Sequence, residues 1–158
     1  MTQLSTTQFP SEPVPALVFR HAYLWKREHK EGLTDALKKR PAVVVVRYGP
    51  LKGIPGQYAV DVAPITHSPQ DHGDTAIEIP RAVKARMGLD DDASWIVTSE
   101  MNRFIWPSPD LYPSRPGSPG RPKLWHWGVL PQNIFRQVVQ EVLEARINPD
   151  NVIRRAGR

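Results

Sequence analysis

The chain of 158 residues is predicted to fold as one mainly β domain, a small antiparallel barrel with a short helix and a longer C-terminal helix. Three observations favour this class. Five or six short strand-like segments follow one another, and turn-rich sequence joins them. Two of these segments, residues 41–48 and 57–65, are apolar runs typical of core strands. Helices are predicted in the segments that begin at Pro80 and at Pro131, and the loop at 26–39 has room for one helical turn.

The predicted strands alternate with loops that are rich in glycine, proline or charge. The strand segments are residues 16–25, 41–48, 57–65, 75–79 and 94–106, and the loops between them include residues 26–39, 66–74 and 107–123. Pro80 opens a short helix in which Val83 and Met87 share the buried face and Gly88 is the C-terminal stop. Residues 131–147 form the second helix, since their apolar residues recur on one helical face.

Composition limits the classes of function. The chain has no cysteine, which excludes disulfides, thiolate catalysis and cysteine zinc sites, and we expect a cytoplasmic protein. No apolar run reaches the ~18 residues of a membrane span, and the N-terminal residues do not match a signal peptide. We expect residues 1–15 to be a flexible lead-in, residues 16–147 to be the barrel domain, and residues 148–158 to be a basic tail.

Charge is distributed unevenly along the chain. The net charge of +5 at pH 7 favours a polyanionic partner. Residues 20–40 contain seven lysines and arginines but only three acidic residues, and this basic segment leads directly into Arg40 and Pro41. The acidic run at residues 90–92 lies far away in sequence.

Reactive polar residues stand at the ends of the two apolar runs. Arg40 precedes the second predicted strand, and Thr66 and His67 follow the third. A guanidinium, a hydroxyl and an imidazole on one rim of a small β domain are suited to a phosphodiester. The guanidinium stays charged and pairs with two phosphate oxygens, and the imidazole titrates near neutral pH. The plainer interpretations are a surface arginine, a turn threonine and a loop histidine.

Six short motifs occur in a fixed order. They are Arg-Pro-Ala-Val-Val-Val at 40–45, Val-Ala-Pro-Ile-Thr at 62–66, Ile-Glu-Ile-Pro at 77–80, Gly-Leu-Asp at 88–90 before Trp-Ile-Val at 95–97, Glu-Met-Asn-Arg at 100–103, and Gly-Val-Leu-Pro at 128–131. This order resembles the PemK/MazF/Kid toxins of bacterial toxin–antitoxin modules. The resemblance spans residues 16–147, and longer loops before Arg40 and at 107–123 mark a divergent member.

The resemblance implies an SH3-like β-barrel and a homodimer. It implies metal-independent cleavage of single-stranded RNA, such as mRNA, without a cofactor, and inhibition by a small antitoxin protein. The key arginine and threonine of the family fall on Arg40 and Thr66. A second interpretation stays open, because fold alone does not decide function. In it, the same barrel binds RNA without cutting it, or inhibits a protein target such as DNA gyrase.

RNA transesterification also needs groups that move protons, and His67 and Glu100 are the candidates. Glu100 shares one strand face with Ile96 and Thr98, and an ion pair with Arg40 is its plainer interpretation. His67 and His72 match no strong metal-ligand spacing, so no metal site is predicted.

Four further residues are candidates for holding RNA by charge or by stacking. They are Lys38, Lys39, Arg103 and Trp106. Single-stranded RNA is usually held by a positive groove and by aromatic rings, and here tryptophans are interleaved with basic residues. Packing in the core or in a dimer interface is the plainer interpretation of the tryptophans.

Overall fold

A computed structural model describes residues 5–36, 38–68, 75–145 and 149–155. Nine strands in these residues form a mainly antiparallel sheet, accompanied by three α-helices, the last of them the predicted C-terminal helix. The elements in chain order are β1 (Leu17–His21), α1 (Lys26–Lys30), β2 (Arg40–Tyr48), β3 (Tyr58–Thr66), β4 (Ala76–Glu78), α2 (Arg81–Met87), β5 (Trp95–Val97), β6 (Met101–Trp106), β7 (Leu111–Tyr112), β8 (His126–Val129), α3 (Gln132–Ala145) and β9 (Val152–Arg154). The prediction of a mainly antiparallel β fold is confirmed. The strand pairings in the described residues do not close the sheet into a barrel. None of the helices in the described residues is long and apolar enough to cross a membrane.

β3 lies inside the sheet and pairs with three other strands. One edge pairs with β2 in an antiparallel register that includes Ala42 opposite Pro64. The other edge is divided between two partners, with Tyr58 opposite Trp106 of β6 and Thr66 opposite Trp95 of β5. The sheet order is β4-β5-β3-β2-β1-β7, β8 adds to β1, and β9 runs parallel to β6.

The unbroken valine run of β2 reflects burial on both of its faces. Val43 and Val45 belong to one hydrophobic cluster, while Ala42 and Val44 belong to a second cluster on the other side of the strand. A strand that is covered on both sides needs no polar alternation, so the prediction of a core strand is confirmed.

The first predicted helix is also confirmed. Pro80 precedes α2, and Gly88 ends it with a left-handed φ of 79°, which glycine adopts without a steric penalty. Val83 is buried and Met87 packs against the same core cluster.

The described part of the predicted flexible lead-in packs against the sheet instead. The Phe9 ring lies 5.0 Å from the Trp125 ring in an edge-on arrangement. The Trp106 indole N–H donates to the Pro10 carbonyl oxygen at 2.8 Å, and the Trp125 backbone N–H donates to the Thr6 carbonyl oxygen at 2.7 Å. Pro10 is buried, and the Phe9 ring adds aromatic contacts while it stays 37% exposed. The polar composition of residues 1–15 obscured these contacts.

The predicted basic tail requires a correction as well. Residues 152–154 form β9, where Ile153 is buried, and the next residue, Arg155, is only 5% exposed. The apolar residues of β9 complete the sheet edge beside β6, and a buried ion pair with Asp110 accommodates the charge of Arg155.

Two further predictions are refined. The segment 94–106 divides into β5 and β6, and the loop at 107–123 contains β7. Asp71, His72, Asp74 and Arg158 lie outside the described residues.

Candidate functional site

An open groove of ≈ 480 Å³ lies where β2 begins and β3 ends, and we call it the cationic groove. Five basic side chains line it: Arg20, Arg27, Lys38, Lys39 and Arg40. Among the lining residues that the structure describes, Asp90 is the single carboxylate. An excess of positive charge in a concave surface attracts polyanions.

Arg40 lies in this groove without an ion pair in the part of the chain that the structure describes, although the charge of Glu28 acts on it. Its guanidinium carbon is 4.9 Å from the centre of the Trp25 ring, so the ring supports it by a cation–π contact. Within the described residues it makes no ion pair or hydrogen bond, and its Nε is buried without a partner. Burial lowers the pKa of Arg40, but a guanidinium titrates so far above neutral pH that it stays charged. Arg40 therefore keeps its donors available for an anionic ligand.

Thr66 lies beside Arg40 because β2 and β3 are antiparallel neighbours. Ala42 opposes Pro64, and continuing the register by two residues on each strand brings Arg40 opposite Thr66 on the same face. Both residues line the cationic groove, as the sequence predicted. The Thr66 hydroxyl oxygen accepts the Ser68 backbone N–H at 3.0 Å, which is the plainer turn role. Its own proton remains available to donate to a ligand oxygen.

His67 lines the groove but belongs to a closed hydrogen-bonded set of side chains, which we call the His67 cluster. Its members are His67, Lys84, Asp90 and Ser94. His67 Nε2 is 3.0 Å from Asp90 Oδ2, and His67 Nδ1 is 3.3 Å from Ser94 Oγ. Lys84 Nζ donates to Asp90 Oδ1 and to Ser94 Oγ, each at 2.7 Å. Lys84 is 4% exposed, so a buried ammonium from α2 closes the ring.

Both nitrogens of His67 face oxygen acceptors, since Nδ1 also lies 2.8 Å from the Ala93 carbonyl oxygen. Burial by itself would raise the pKa of Asp90, but the hydrogen bond from Lys84 and the charge of His67 outweigh it and lower that pKa. While the cluster is intact, protein acceptors hold the His67 ring at both nitrogens.

The His67 cluster also borders a group with metal-ligating atoms. One ligand atom from each of His67, Asp90 and Asp92 lies within 4.8 Å of the others, and all three residues are exposed. The Lys84 ammonium already binds Asp90 and the Asp92 carbonyl oxygen. A fixed positive charge at these oxygens opposes a second cation, so the arrangement does not favour a metal.

Glu100 does not reach the groove. Its side chain is buried, and its Oε1 accepts the Tyr23 hydroxyl at 3.1 Å and the Lys26 backbone N–H at 2.8 Å. Burial raises the pKa of Glu100. The predicted role of Glu100 in proton transfer at the groove needs correction, because this residue, just before β6, directs its carboxylate to the start of α1.

The four candidates for RNA contacts separate into two pairs. Lys38 and Lys39 are exposed and line the groove, and Lys39 Nζ lies 3.9 Å from the centre of the Tyr112 ring. Arg103 instead holds Asp61 with two hydrogen bonds of 2.7 and 2.9 Å and does not line the groove. Trp106 is 1% exposed and packs in the core, so it offers no face for a base. Its burial corrects the prediction made for it.

Sequence reasoning missed four residues of the site or its support: Arg20, Arg27, Lys84 and Asp90. Trp127, which also lines the groove, is one of the tryptophans interleaved with basic residues. Arg20 and Arg27 were visible as part of the basic segment, but no local pattern places either beside β3. Val83 and Met87 mark the buried face of the short helix α2. Lys84 could not be placed beside them from the sequence, because lysine is normally exposed.

No protein-family model matches this chain, and neither a curated protein nor a solved structure matches it significantly. The chemistry of the cationic groove is therefore the basis for a function.

Proposed function

We propose that this chain is a toxin-like endoribonuclease that cleaves single-stranded RNA by metal-independent transesterification and inhibits growth as part of a toxin–antitoxin module. The observation that carries the proposal is the pairing of Arg40, which makes no ion pair within the described residues, with the Thr66 hydroxyl inside the cationic groove. The order of the sequence motifs supports the same assignment. We further propose that the sheet belongs to the SH3-like barrels and that the protein acts in the cytoplasm, as a homodimer that a small antitoxin blocks.

The reaction needs little beyond charge and positioning. The 2′-oxygen of a ribose attacks the adjacent phosphorus, the bond from phosphorus to the 5′-oxygen breaks, and a 2′,3′-cyclic phosphate and a 5′-hydroxyl result. Arg40 stabilises the added negative charge on the non-bridging oxygens, since guanidinium donors pair with phosphate in a fixed geometry. The Thr66 hydroxyl donates to one of these oxygens and orients the phosphate.

Water carries the protons in this scheme. Glu100 is engaged by Tyr23 and Lys26, and both ring nitrogens of His67 face protein acceptors. The attacking 2′-hydroxyl therefore gives its proton to water, and the leaving 5′-oxygen takes a proton from water. Attack without a positioned base limits the rate, so we expect a slow nuclease.

The test is incubation of the purified protein with a mixed-sequence single-stranded RNA in EDTA. We expect the wild type to cleave, Arg40→Ala to lose about 10²–10³-fold in rate, as for the loss of one transition-state donor, and Thr66→Ala to lose about 10-fold. Arg40→Lys should fall between, because it keeps the charge without the bidentate geometry. Arg86→Ala is the matched control, since Arg86 is an exposed arginine on α2 outside the groove.

A second candidate function is binding of single-stranded RNA without cleavage. It is favoured by one observation, namely that the two titratable groups predicted to move protons are both engaged by protein partners. Wild-type binding without cleavage, weakened by Arg40→Ala, would support this candidate over the nuclease. Neither binding nor cleavage would contradict both and would leave inhibition of a protein target.

A further inference from the structure

The five tryptophans of the chain occupy different environments. Trp25 and Trp106 are 2% and 1% exposed and belong to the core. Trp125 contacts the Phe9 ring and Lys123, and Trp95 is half-buried on β5, outside the lining of the groove. Trp127 is the tryptophan that is both half-buried and part of the lining of the cationic groove. Position and accessibility therefore distinguish Trp127 from the other four.

The orientation of Trp127 follows from its strand. His126, the preceding residue on β8, is 1% exposed, and its Nε2 lies 3.0 Å from the Ser5 carbonyl oxygen. Because successive side chains of a strand point to opposite faces, Trp127 points away from this contact. Its indole packs against the cluster that contains Val18 and Leu130. Core packing on one side fixes the ring, and its other side borders the groove.

The accessible part of the Trp127 ring is unoccupied within the described residues. No aromatic ring, cation or hydrogen-bond acceptor of residues 5–36, 38–68, 75–145 and 149–155 engages it. By contrast, Arg40 and Arg27 lie 4.9 and 5.6 Å from the centre of the Trp25 ring. The groove thus contains one aromatic ring already used by cations and a second that is open.

An open aromatic ring beside several cations matches the chemistry of a single-stranded nucleic acid. Such proteins hold the backbone in a positive groove and stack bases on aromatic side chains, without a requirement for base sequence. A tryptophan fixed by core packing loses little rotamer freedom on binding, which makes it an effective platform.

We propose that Trp127 is a base-stacking subsite, on which a base of the single strand lies while Arg40 binds a neighbouring phosphate. The inference rests on the proposed function, because it takes single-stranded RNA as the ligand of the groove. It assigns Trp127 to substrate binding and not to the chemical step.

The experiment compares binding of two oligomers with the same backbone. One is a 2′-O-methyl RNA octamer, which resists cleavage because it has no free 2′-hydroxyl, and the other is the same octamer without its bases. Trp127→Ala should lower affinity for the octamer with bases by about 5- to 100-fold, the range of one lost base stack, and leave affinity for the abasic octamer unchanged. Trp127→Phe should retain most of the affinity, because it keeps an aromatic face.

Two further variants protect the interpretation from a folding defect. Trp127→Leu keeps apolar bulk against the core but has no aromatic face, so it should lose the affinity for bases and keep the cooperative thermal unfolding of the wild type. Trp125→Ala is the matched control, since it removes a half-buried tryptophan two residues away outside the groove. It should bind both octamers as the wild type does.

The outcomes separate the inference from the proposed function. An equal loss for both octamers in Trp127→Ala and Trp127→Leu, or no loss for either, would overturn the stacking subsite while RNA binding stands. Wild-type protein that binds neither octamer would overturn the proposed function and the inference with it. Loss for the octamer with bases alone supports both.

Discussion

The cationic groove can be compared with a buried polar cluster whose members are His21, Asp110 and Arg155. Both contain arginine, histidine and aspartate, but the groove is open and the cluster is buried. In the groove, Arg40 has no carboxylate partner among the described residues, and His67 is exposed. In the buried cluster, the Arg155 side chain is 1% exposed and lies 3.2 Å from the Asp110 carboxylate. Arg155 also donates to the Ala22 carbonyl oxygen at 2.6 Å. An unpaired accessible cation can bind a ligand, whereas a buried cation with partners holds the fold together.

The histidines sharpen this comparison. His21 is fully buried, stacks on the Phe104 ring at 4.7 Å, and has its pKa lowered to about 4 by burial and by the charge of Arg155. It is therefore neutral at neutral pH and contributes to packing. His67 lies in the open groove, where its two ring nitrogens face the Ala93 carbonyl oxygen and the Asp90 carboxylate. The same residue type thus has a structural role in one region and a candidate functional role in the other.

The largest effect on stability is expected at the buried cluster. Arg155→Ala removes the cation of a buried ion pair with Asp110, and we expect the free energy of unfolding to fall by about 3–5 kcal/mol. Urea unfolding measures the loss. The matched control is Arg154→Ala, which removes the exposed arginine next to it on β9 and should cost less than about 0.5 kcal/mol. Equal, small losses for the two variants would contradict the structural role of Arg155.

The next largest effect is a pH dependence from His21. The unfolded chain protonates this histidine below its ordinary pKa of 6.5, while the folded chain resists protonation down to about 4. Acid therefore favours the unfolded state across this window, and stability falls by about 2 kcal/mol between pH 7 and pH 5. Urea unfolding at the two pH values tests this.

A His21→Leu variant is the control for this pH dependence. It should lose most of the difference between pH 7 and pH 5, even if its stability is lower at both. A smaller difference should remain, because burial also lowers the pKa of His126. An unchanged difference in His21→Leu would show that other groups cause the acid sensitivity.

The smallest effect is expected at the His67 cluster. Asp90→Asn removes the carboxylate that joins Lys84 to His67, and we expect a loss of about 1 kcal/mol because the Asp90 side chain is half exposed. RNA cleavage should fall by less than in Arg40→Ala, since His67 stays in place but loses its anionic partner. Thermal unfolding and the cleavage assay measure the two effects. Asp91→Asn, at the next residue, is the control and should change neither.

Much of the fold was predictable because its signals are local. A few neighbouring residues are enough to predict the strand at the valine run of β2 and the helix between Pro80 and Gly88. The pairing of Arg40 with Thr66 was also predictable, since neighbouring antiparallel strands bring the start of one beside the end of the next. These inferences needed only one sheet and its periodicity.

The errors have a common physical cause, which is that burial of a polar or aromatic group depends on distant partners. Arg155 looks like part of a solvated tail until Asp110 is placed beside it. Trp106 looks accessible among basic residues until Phe19 and Pro10 cover it. His67 looks like a free loop histidine until Lys84 of α2 and His67 are seen to bind the same Asp90 carboxylate. No local pattern contains these partners.

The division of β3 between β5 and β6 has a consequence for the order in which the chain folds. Its pairing with β2 joins two segments that are close in sequence, so this hairpin costs the least loop entropy and can form early. β5 and β6 must each find the edge of β3 opposite β2, and the parallel β9 can pair only after β6 is in place. We therefore expect assembly to proceed outwards from the β2–β3 hairpin, at the slow rates typical of sheets dominated by non-local contacts. The two strands that carry Arg40 and Thr66 would then be the first to meet.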